Sequence, residues 1–460
     1  MATETPVLDY AKLKNAVAGN AVAIRCKTIL QPAAGEGTKV FPPTHAGGVY
    51  ATEKRRIPAH DKEDPRATRE ADCVLLDSVQ SQANRIEDAL QQAIDEKKLT
   101  MPLIVVDFAD ANKSLLKPIS DRITSLTVPH RLPDAILRDS NDAKGSRFRD
   151  SDYAKRWAAA TPANATPVFE LCPTALFLGM WGSPERAGGL GAKFARALVS
   201  EIVGIDAVFG VRTGSRIDPL SISSKAQVIN EGQGRWRLAN EKERGAVNPS
   251  EIGHSNIPPT FGKYQKGAEG TNPLAASLPT FRYDRKQDED TVSFRITADF
   301  SQSVEAKQGE IAAGGVTISH AEHTAVLSLP QLRRLRFPLN GAFDKDSEKQ
   351  AEIDNAARTV LAALALVGLT LSLERGSDLR SRCLLFPEGP LSFELLETPG
   401  QPTAITVNSA QAIAAYNDAV KAATELSLPW ETTPVKLTPS PELVALVKKS
   451  QELAAAGQEE

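Results

Sequence analysis

Cysteine is scarce in this sequence, with four in 460 residues. Cys26, Cys73, Cys172 and Cys383 lie far apart and form no CxxC pair, which argues against a zinc ribbon or a disulfide scaffold. Four dispersed thiols fit a reducing compartment, so we expect a cytoplasmic protein. The segment 1–10 has neither the basic nor the apolar stretch of a secretory signal, and we expect no signal peptide.

Aromatic residues and long apolar runs are also few. Aromatics make up 5% of the chain, so nucleic-acid binding cannot depend on a dense aromatic platform. The longest apolar run, 360–373, is interrupted by Gly368 and Thr370 and is too short to span a bilayer. We therefore expect no membrane role.

The chain has no excess of positive charge, since its formal net charge is −3. A basic nucleic-acid footprint must therefore come from local clusters. Such clusters are present at 54–56, 147–149, 212–216, 235–237, 333–336 and 375–382. Each could equally be a solvated surface paired with acidic residues. Arginines next to Phe or Trp favour nucleic acid, because guanidinium groups and rings both stack on bases.

Hydrophobic patterning predicts a mixture of strands and helices separated by long polar segments. The predicted strands are 22–30, 103–108, 168–180, 292–300 and 316–329. The predicted helices are 72–94, 188–202, 346–368 and 441–455, the last opened by Ser440-Pro441-Glu442. The segments 31–69, 110–165 and 207–290 read as insertions, and long loops of this kind are usually functional. The fold class expected is α+β, a sheet with helices on one face.

The segment from Leu75 to Glu87 has two distinct faces at the helical period of about 100° per residue. Its apolar residues, Leu76, Val79, Ala83 and Ile86, continue to Leu90 on one face. The opposite face carries Ser78, Ser81, Gln82 and Arg85. Two hydroxyls, an amide and a guanidinium near a helix N-terminus suit a phosphodiester backbone. The periodicity alone is equally compatible with an ordinary solvated helix face.

This segment resembles the signature of the backbone subunit of the type I-G (formerly I-U) CRISPR Cascade complex. That subunit belongs to the Csb branch of the seventh Cas family, in the RAMP superfamily. Gln80-Ser81-Gln82 with Arg85 matches the spacing of a Ser-Ser-Gln-x-x-Lys-Arg-like motif, with arginine in the lysine place and Ile86 where the wider pattern has arginine. Three further stretches resemble the same family in a consistent order: Lys39–Thr44, Gly214–Leu220 and Leu379–Cys383.

The resemblance implies a ferredoxin-like, RRM-type palm over residues 1–400, with finger and thumb insertions in the three long segments. Residues 401–460, which match nothing familiar, would form a C-terminal helical extension. The thumb would lie in 31–69 or 207–290. The implied RNA-binding residues are Ser78, Ser81, Gln82, Arg85, Arg212, Arg216, Arg380 and Arg382.

The resemblance also implies a function without catalysis, cofactor or metal. Copies of the chain would polymerise along a guide RNA (crRNA) and present it for pairing with the target DNA strand. The other partners would be the remaining Cascade subunits, namely the large subunit and the fused Cas five/six-like subunit. The main alternative is a RAMP-type endoribonuclease that processes CRISPR repeat RNA. A third class, a metabolic α/β enzyme with a small-molecule pocket, would purify free of nucleic acid.

Two motifs that suggest catalysis fail on inspection. His320-Ala-Glu-His323 begins like a zinc deaminase signature, but the P-C-x-x-C half is absent and no third metal ligand lies nearby. We expect these to be polar residues of an exposed strand. The segment from Gly188 to Lys193 is not a P-loop, because Phe194 stands where Ser or Thr is needed.

Overall fold

The computed structural model describes most of the chain. The described residues are 5–45, 49–59, 64, 66–182, 192–211, 213–216, 219–223, 225–232, 234–240, 243–254, 257–261, 280–288, 291–299 and 313–455. Within them, the backbone alone is described for 213–216, 257–261, 280–288, 291–299 and 313.

The described residues form helices along the whole chain. The α-helices are α1 (Tyr10–Ala18), α2 (Val79–Asp95), α3 (Ala109–Asn112), α4 (Ala135–Arg138), α5 (Asp152–Ala158), α6 (Thr166–Leu171), α7 (Thr174–Phe177), α8 (Leu329–Arg333), α9 (Ser347–Glu374), α10 (Ser409–Glu425) and α11 (Pro441–Ala455). Short 3₁₀ helices cover Phe148–Asp150 and Pro249–Ile252.

Strands alternate with these helices. They are β1 (Ala23–Pro32), β2 (Thr44–His45), β3 (Val49–Tyr50), β4 (Thr52–Pro58), β5 (Thr68–Asp77), β6 (Ile104–Asp107), β7 (Arg122–Thr124), β8 (Ser140–Asn141), β9 (Met180–Trp181), β10 (Lys193–Phe194), β11 (Leu198–Ile205), β12 (Val208–Val211), β13 (Thr213–Arg216), β14 (Val228–Gly232), β15 (Arg235–Leu238), β16 (Ile257–Phe261), β17 (Thr280–Asp288), β18 (Thr291–Asp299), β19 (Ala313–Thr317), β20 (His320–Ser328), β21 (Ser377–Arg380), β22 (Cys383–Pro387), β23 (Phe393–Thr398), β24 (Gln401–Ile405) and β25 (Val435–Pro439).

A curled antiparallel sheet of nine strands organises the molecule. Its main path runs β21-β22-β1-β20-β11-β5-β4, and β23 and β24 extend it beside β1. In β1 and β20, buried and less buried residues alternate along the strand. This period-2 pattern is typical of a sheet with one face covered and one face open. The α+β class is confirmed, while the ferredoxin-like palm stays a prediction.

The covered face packs against helices, with α9 at the centre. α9 contacts α1, α2, α7, α8 and α10. It is long and apolar enough to cross a membrane, but 78% of its most apolar window is buried inside the protein. Burial on this scale is typical of the core helix of a soluble protein.

A second, smaller sheet ties the C-terminal residues to the middle of the chain. Its order is β7-β6-β25-β8, and β25 runs parallel to β6. The Tyr416 hydroxyl of α10 donates to the Thr100 carbonyl over 2.6 Å. Residues beyond 400 thus contribute a strand to this sheet and β24 to the large one. The domain boundary at residue 400 stays a prediction.

Several elements match the sequence predictions, and three do not or do so only in part. The helices at 346–368 and 441–455 and the strands at 22–30, 103–108, 292–300 and 316–329 are confirmed, the last with a break between β19 and β20. The segment 168–180, predicted as a strand, forms α6 and α7 before the short β9. Pro167 lies in the first turn of α6 and Pro173 caps α7, and the helices are buried on all sides, which hides their period.

The other errors concern where a helix begins. The predicted helix 72–94 starts only at Val79, because β5 continues to Asp77 and buries Leu75 on one face and Leu76 on the other. Apolar residues on both faces give no strand period, so the end of β5 reads as helix. The predicted helix 188–202 is wrong over Leu198–Ile202, which lie in β11, and its glycine-rich start lies outside the described residues.

Gly368 allows α9 to pack closely on α2, and Gly368→Ala is expected to destabilise the fold. A Cβ at this position would lie 2.7 Å from Ile86 Cγ2 and 3.3 Å from Leu90 Cδ1. Overpacking costs about 1–3 kcal/mol, and the better helix propensity of alanine offsets up to about 1 kcal/mol. We expect a net loss of about 1–2 kcal/mol in urea unfolding at an unchanged m value. Gly389→Ala is the control, since its Cβ would meet nothing within 4 Å; equal midpoints for the two variants would contradict this packing.

Candidate nucleic-acid interface

A buried carboxylate, Asp77, gathers most of the polar residues that the sequence singled out. Asp77 ends β5 and is fully buried. Its carboxylate accepts hydrogen bonds from Ser81 Oγ (2.8 Å), Gln82 Nε2 (2.6 Å) and Arg85 Nε (2.9 Å). Arg380 Nη2 from β21 lies 3.3 Å from the same group. The predicted helix face is therefore built around an internal anion.

The helix face is less exposed than its periodicity suggests. Ser78 is the N-cap of α2, and its hydroxyl accepts from the Ser81 N–H over 3.2 Å. Gln82 is buried, although the helical period places it opposite the apolar residues. α2 contacts both α9 and β11, while Gln80 at its start is exposed. Periodicity cannot tell a polar face that lies on a sheet from one that lies in solvent.

Gln82 connects the buried carboxylate to the interior of the sheet. Its Oε1 accepts from Ser200 Oγ over 2.8 Å, and Ser200 Oγ lies 2.8 Å from His323 Nε2. His323 is buried on the covered face of β20, which corrects the prediction that the 320–323 motif is an exposed polar strand. β20 lies between β1 and β11 in the sheet, and every second residue of this strand faces the core. Burial lowers the pKa of His323 to about 4.

Acid is expected to destabilise the protein through His323. Its pKa is lower in the folded chain than in the unfolded one, so the unfolded state takes up the proton first as pH falls below about 6.5. We expect this group to remove about 2 kcal/mol of stability between pH 7 and pH 5. His323→Gln should remove that part of the pH dependence, measured by urea unfolding at each pH. His320→Gln, on the same strand, should leave it intact; an unchanged slope in His323→Gln would exclude this explanation.

Arg85 and Arg380 join α2 to the edge hairpin formed by β21 and β22. Arg85 Nη2 donates to the Leu379 carbonyl over 2.7 Å, and its Nη1 lies 3.3 Å from the Asp378 carbonyl. Both arginine side chains remain about a quarter to a third exposed. Because one carboxylate neutralises only one of them, this edge of the sheet keeps a positive charge.

The segment 39–44 extends this positive edge. Phe41 donates its N–H to the Arg382 carbonyl over 3.1 Å, and the Arg382 guanidinium lies 4.3 Å from the Phe41 ring centre. Lys39 lies next to Phe41, against the backbone of Gly210 and Gly315. Arg380 Nη1 lies 3.5 Å from the Phe41 carbonyl and so connects this segment to Asp77. We call Lys39, Phe41, Arg85, Arg380 and Arg382 the cationic edge.

The cationic edge unites three of the four family-like stretches, at 39–44, 75–87 and 379–383. Among the described residues, no ion pair involves Lys39 or Arg382. The fourth stretch, 214–220, follows β12, whose partner β19 also bridges to Val40 through Val316. Of the two residues predicted there, Arg212 lies outside the described residues and Arg216 is described by its backbone alone.

The open face of the sheet differs, because its cations are paired. Lys27 lies 3.2 Å from Glu322, Arg55 is 2.9 Å from Glu201, and Arg25 is 2.6 Å from Glu394. A cavity of about 230 Å³ in this face is lined by both charges. The basic cluster at 54–56 therefore fits the alternative of a paired, solvated surface. Arg382, which forms no ion pair among the described residues, lies instead in the turn between β21 and β22, beyond β1.

Sequence reasoning missed the residues that organise the site. Asp77 belongs to the recognised segment, but a single acid before a helix reads as a turn residue. Ser200 lies in another part of the chain, and only the fold brings it near. The resemblance singled out Lys39–Thr44 and Leu379–Cys383 as separate stretches, and their position next to Arg85 comes from the fold alone.

Comparison with known protein families gives a match over part of the chain. The family model described as CRISPR-associated protein GSU0053 matches residues 24–208. This range contains the stretches at 39–44 and 75–87, and it ends before the other two. No curated protein matches the chain. The type I-G subtype and the Csb and RAMP assignments stay predictions. Residues 24–208 of this chain are thus similar in sequence to a CRISPR-associated protein family.

Proposed function

We propose that this chain is a guide-RNA-binding subunit of a CRISPR interference complex and binds the RNA backbone at the cationic edge. The observation that carries the proposal is one continuous set of contacts. Asp77 binds Arg85 and Arg380, Arg380 reaches the Phe41 carbonyl, and Arg382 and Lys39 lie beside Phe41. Guanidinium and ammonium groups held at one edge can contact successive phosphates, since such contacts dominate affinity for nucleic acids.

The buried network gives these cations their positions. Asp77 holds Arg85 and Arg380 in fixed orientations, and the remaining guanidinium N–H groups of Arg85 are directed to backbone carbonyls of β21. A preorganised cation loses less conformational entropy on binding than a free side chain. We assign Gln82 and Ser81 to positioning through Asp77, and contact with RNA to the arginines and Lys39.

We propose binding without cleavage, as a soluble cytoplasmic protein. Among the described residues, no group of three or more His, Cys, Asp or Glu could hold a metal ion. His323 is buried and hydrogen-bonded to Ser200, where no RNA can reach it. Copies of the chain would line the guide RNA and leave its bases free for the target DNA strand, beside the other Cascade subunits. The alternative endoribonuclease predicts cleavage of repeat RNA by the purified chain alone.

Lys39→Ala is expected to weaken binding of single-stranded RNA about fivefold, a loss on the order of 1 kcal/mol. The loss of one phosphate contact should also reduce the salt slope, log Kd against log salt, by about 0.7. The fold should not change, because Lys39 holds no internal ion pair among the described residues. Fluorescence anisotropy across a salt series measures both quantities.

Arg56→Ala is the matched control for Lys39→Ala. It also removes one cation, but from β4, at the opposite edge of the main sheet path, where Arg56 lies 76% exposed near Glu70. We expect RNA affinity and salt slope close to those of the unmodified chain. Equal losses in the two variants would show diffuse electrostatic attraction and not a site at the cationic edge. Cleaved RNA in the same samples would favour the endoribonuclease.

A further inference from the structure

The Arg382 guanidinium lies over the Phe41 ring, and the backbone of both residues fixes this stacked pair. The guanidinium carbon lies 4.3 Å from the ring centre. The backbones are also joined, because the Phe41 N–H donates to the Arg382 carbonyl over 3.1 Å. Arg382 adopts a left-handed backbone conformation with φ of 60°, in the tight turn between β21 and β22. This turn places the side chain over the ring.

The ring in turn lies on the backbone of β19. A Cβ added to Gly315 would lie 3.0 Å from Phe41 Cε2 and 2.7 Å from Lys39 Cγ, and Gly315 has a φ of +78°. The Gly315 N–H donates to the Tyr50 hydroxyl over 2.8 Å. Glycine at this position lets the ring and the lysine stem pack on the main chain, so the stacked pair has a fixed base.

The outer side of the pair is available to a ligand. Arg382 is exposed, and no ion pair or hydrogen bond engages its guanidinium within the described part of the chain. Arg85 and Arg380, in contrast, use theirs on Asp77 and on backbone carbonyls. The Arg382 guanidinium is thus a planar cation that lies over a ring, in an exposed side chain.

A planar group is the natural ligand for such a surface. Nucleobases stack on guanidinium planes and aromatic rings, and the stack requires a base that is not already paired in a duplex. Lys39, Arg85 and Arg380 beside it supply cations for the flanking phosphates.

We infer that Arg382, supported by Phe41, is a stacking site for one unpaired nucleobase at the end of the cationic edge. The inference rests on the proposed function and goes further, since it assigns a base contact and not only phosphate contacts. Such a contact is sequence-tolerant, because every base has a π face. It would make the chain prefer single-stranded RNA that carries bases over the same backbone without them.

Arg382→Lys separates stacking from charge, because it keeps the cation and removes the plane. The full chain would be titrated with a single-stranded oligoadenylate and with an abasic oligoribonucleotide of equal length. We expect Arg382→Lys to bind the oligoadenylate at least about fivefold more weakly than the unmodified chain. Affinity for the abasic strand and both salt slopes should stay the same. Phe41→Leu should also weaken oligoadenylate binding. A fluorescent base analogue in the RNA should be quenched when the unmodified chain binds it, and less quenched when either variant binds it.

The outcomes distinguish this inference from the proposed function. If Arg382→Lys matches the unmodified chain on both strands, or weakens both equally, the stacking site is wrong while phosphate binding at the cationic edge stands. If the unmodified chain binds neither strand, both are wrong. A variant that loses affinity only for the strand with bases supports the stacking site. Thermal melting of each variant shows that the comparison is made on folded protein.

Discussion

Asp77→Ala is expected to lower the free energy of unfolding by about 3–5 kcal/mol, because it removes the one carboxylate that two partly buried arginines share. Asp77 is fully buried and accepts from Ser81, Gln82 and Arg85. Without it, the Gln82 amide loses its acceptor inside the core, and Arg85 and Arg380 repel each other. Urea unfolding followed by circular dichroism measures the loss.

Asp72→Ala is the control for this prediction, since it makes the same change on the same strand. Asp72 is exposed and lies 3.9 Å from Lys54, so we expect a loss of about 0–1 kcal/mol. Asp77→Asn should fall between the two, because it keeps the shape but turns an amide donor toward other donors. Losses of the same size at positions 72 and 77 would mean that the carboxylate does not organise this region.

The same variants connect stability to the proposed function. Where Asp77→Asn still folds, Arg85 and Arg380 lose their common anchor, and RNA affinity should fall although both cations are present. The salt slope should stay nearly constant, because the number of cations is unchanged. This pattern differs from Lys39→Ala, which lowers affinity and slope together.

What the sequence could predict here followed from local signals. The helix opened by Ser440-Pro441, the helix at 346–368 and the strand at 22–30 each depend on signals within one segment, and all three elements are confirmed. The end of β5 and the paired helices α6 and α7 are buried on more than one side, so their periodicity is lost and the predictions are wrong there.

In the candidate site, too, local features could be predicted from the sequence and long-range contacts could not. The arginines at 85, 380 and 382 could be found from the resemblance, because they lie in the family-like stretches 75–87 and 379–383. The dependence of Arg85 and Arg380 on Asp77 could not be found, because it joins two segments about 300 residues apart in sequence. His323 illustrates the opposite error. The polar residues at 320–323 predicted an exposed strand, whereas β20 lies in the middle of the sheet and buries His323.

A second buried ion pair, Glu87 with Arg131, holds the opposite side of α2. Arg131 Nε and Nη2 donate to the two Glu87 oxygens, each over 2.7 Å, and Nη1 donates to the Gly179 carbonyl over 3.0 Å. Both side chains are less than a tenth exposed. Burial raises the pKa of Glu87 to about 7, and the charge of Arg131 acts in the opposite direction. The pair anchors α2, and with it the cationic edge, to Arg131 before α4 and to Gly179 just after α7.

Arg131→Ala is expected to lower the free energy of unfolding by about 3–5 kcal/mol at pH 8, since it leaves a buried carboxylate without its cation. Removing Arg131 raises the pKa of Glu87 further, so the folded variant binds this proton more tightly than the unfolded chain does. Stability from that proton is present at low pH and is lost as pH rises. The deficit should therefore be smaller at pH 5 than at pH 8 in urea unfolding.

Two comparisons make this last prediction decisive. Arg122→Ala removes an exposed cation that pairs with Asp95 at the end of the same helix, over 2.6 Å, and should cost about 0–1 kcal/mol at either pH. Glu87→Leu added to Arg131→Ala should recover much of the lost stability, because the double variant buries no lone charge. A deficit that is independent of pH, or that Glu87→Leu deepens, would mean that Arg131 stabilises the protein by packing and its bond to Gly179 and not by its charge.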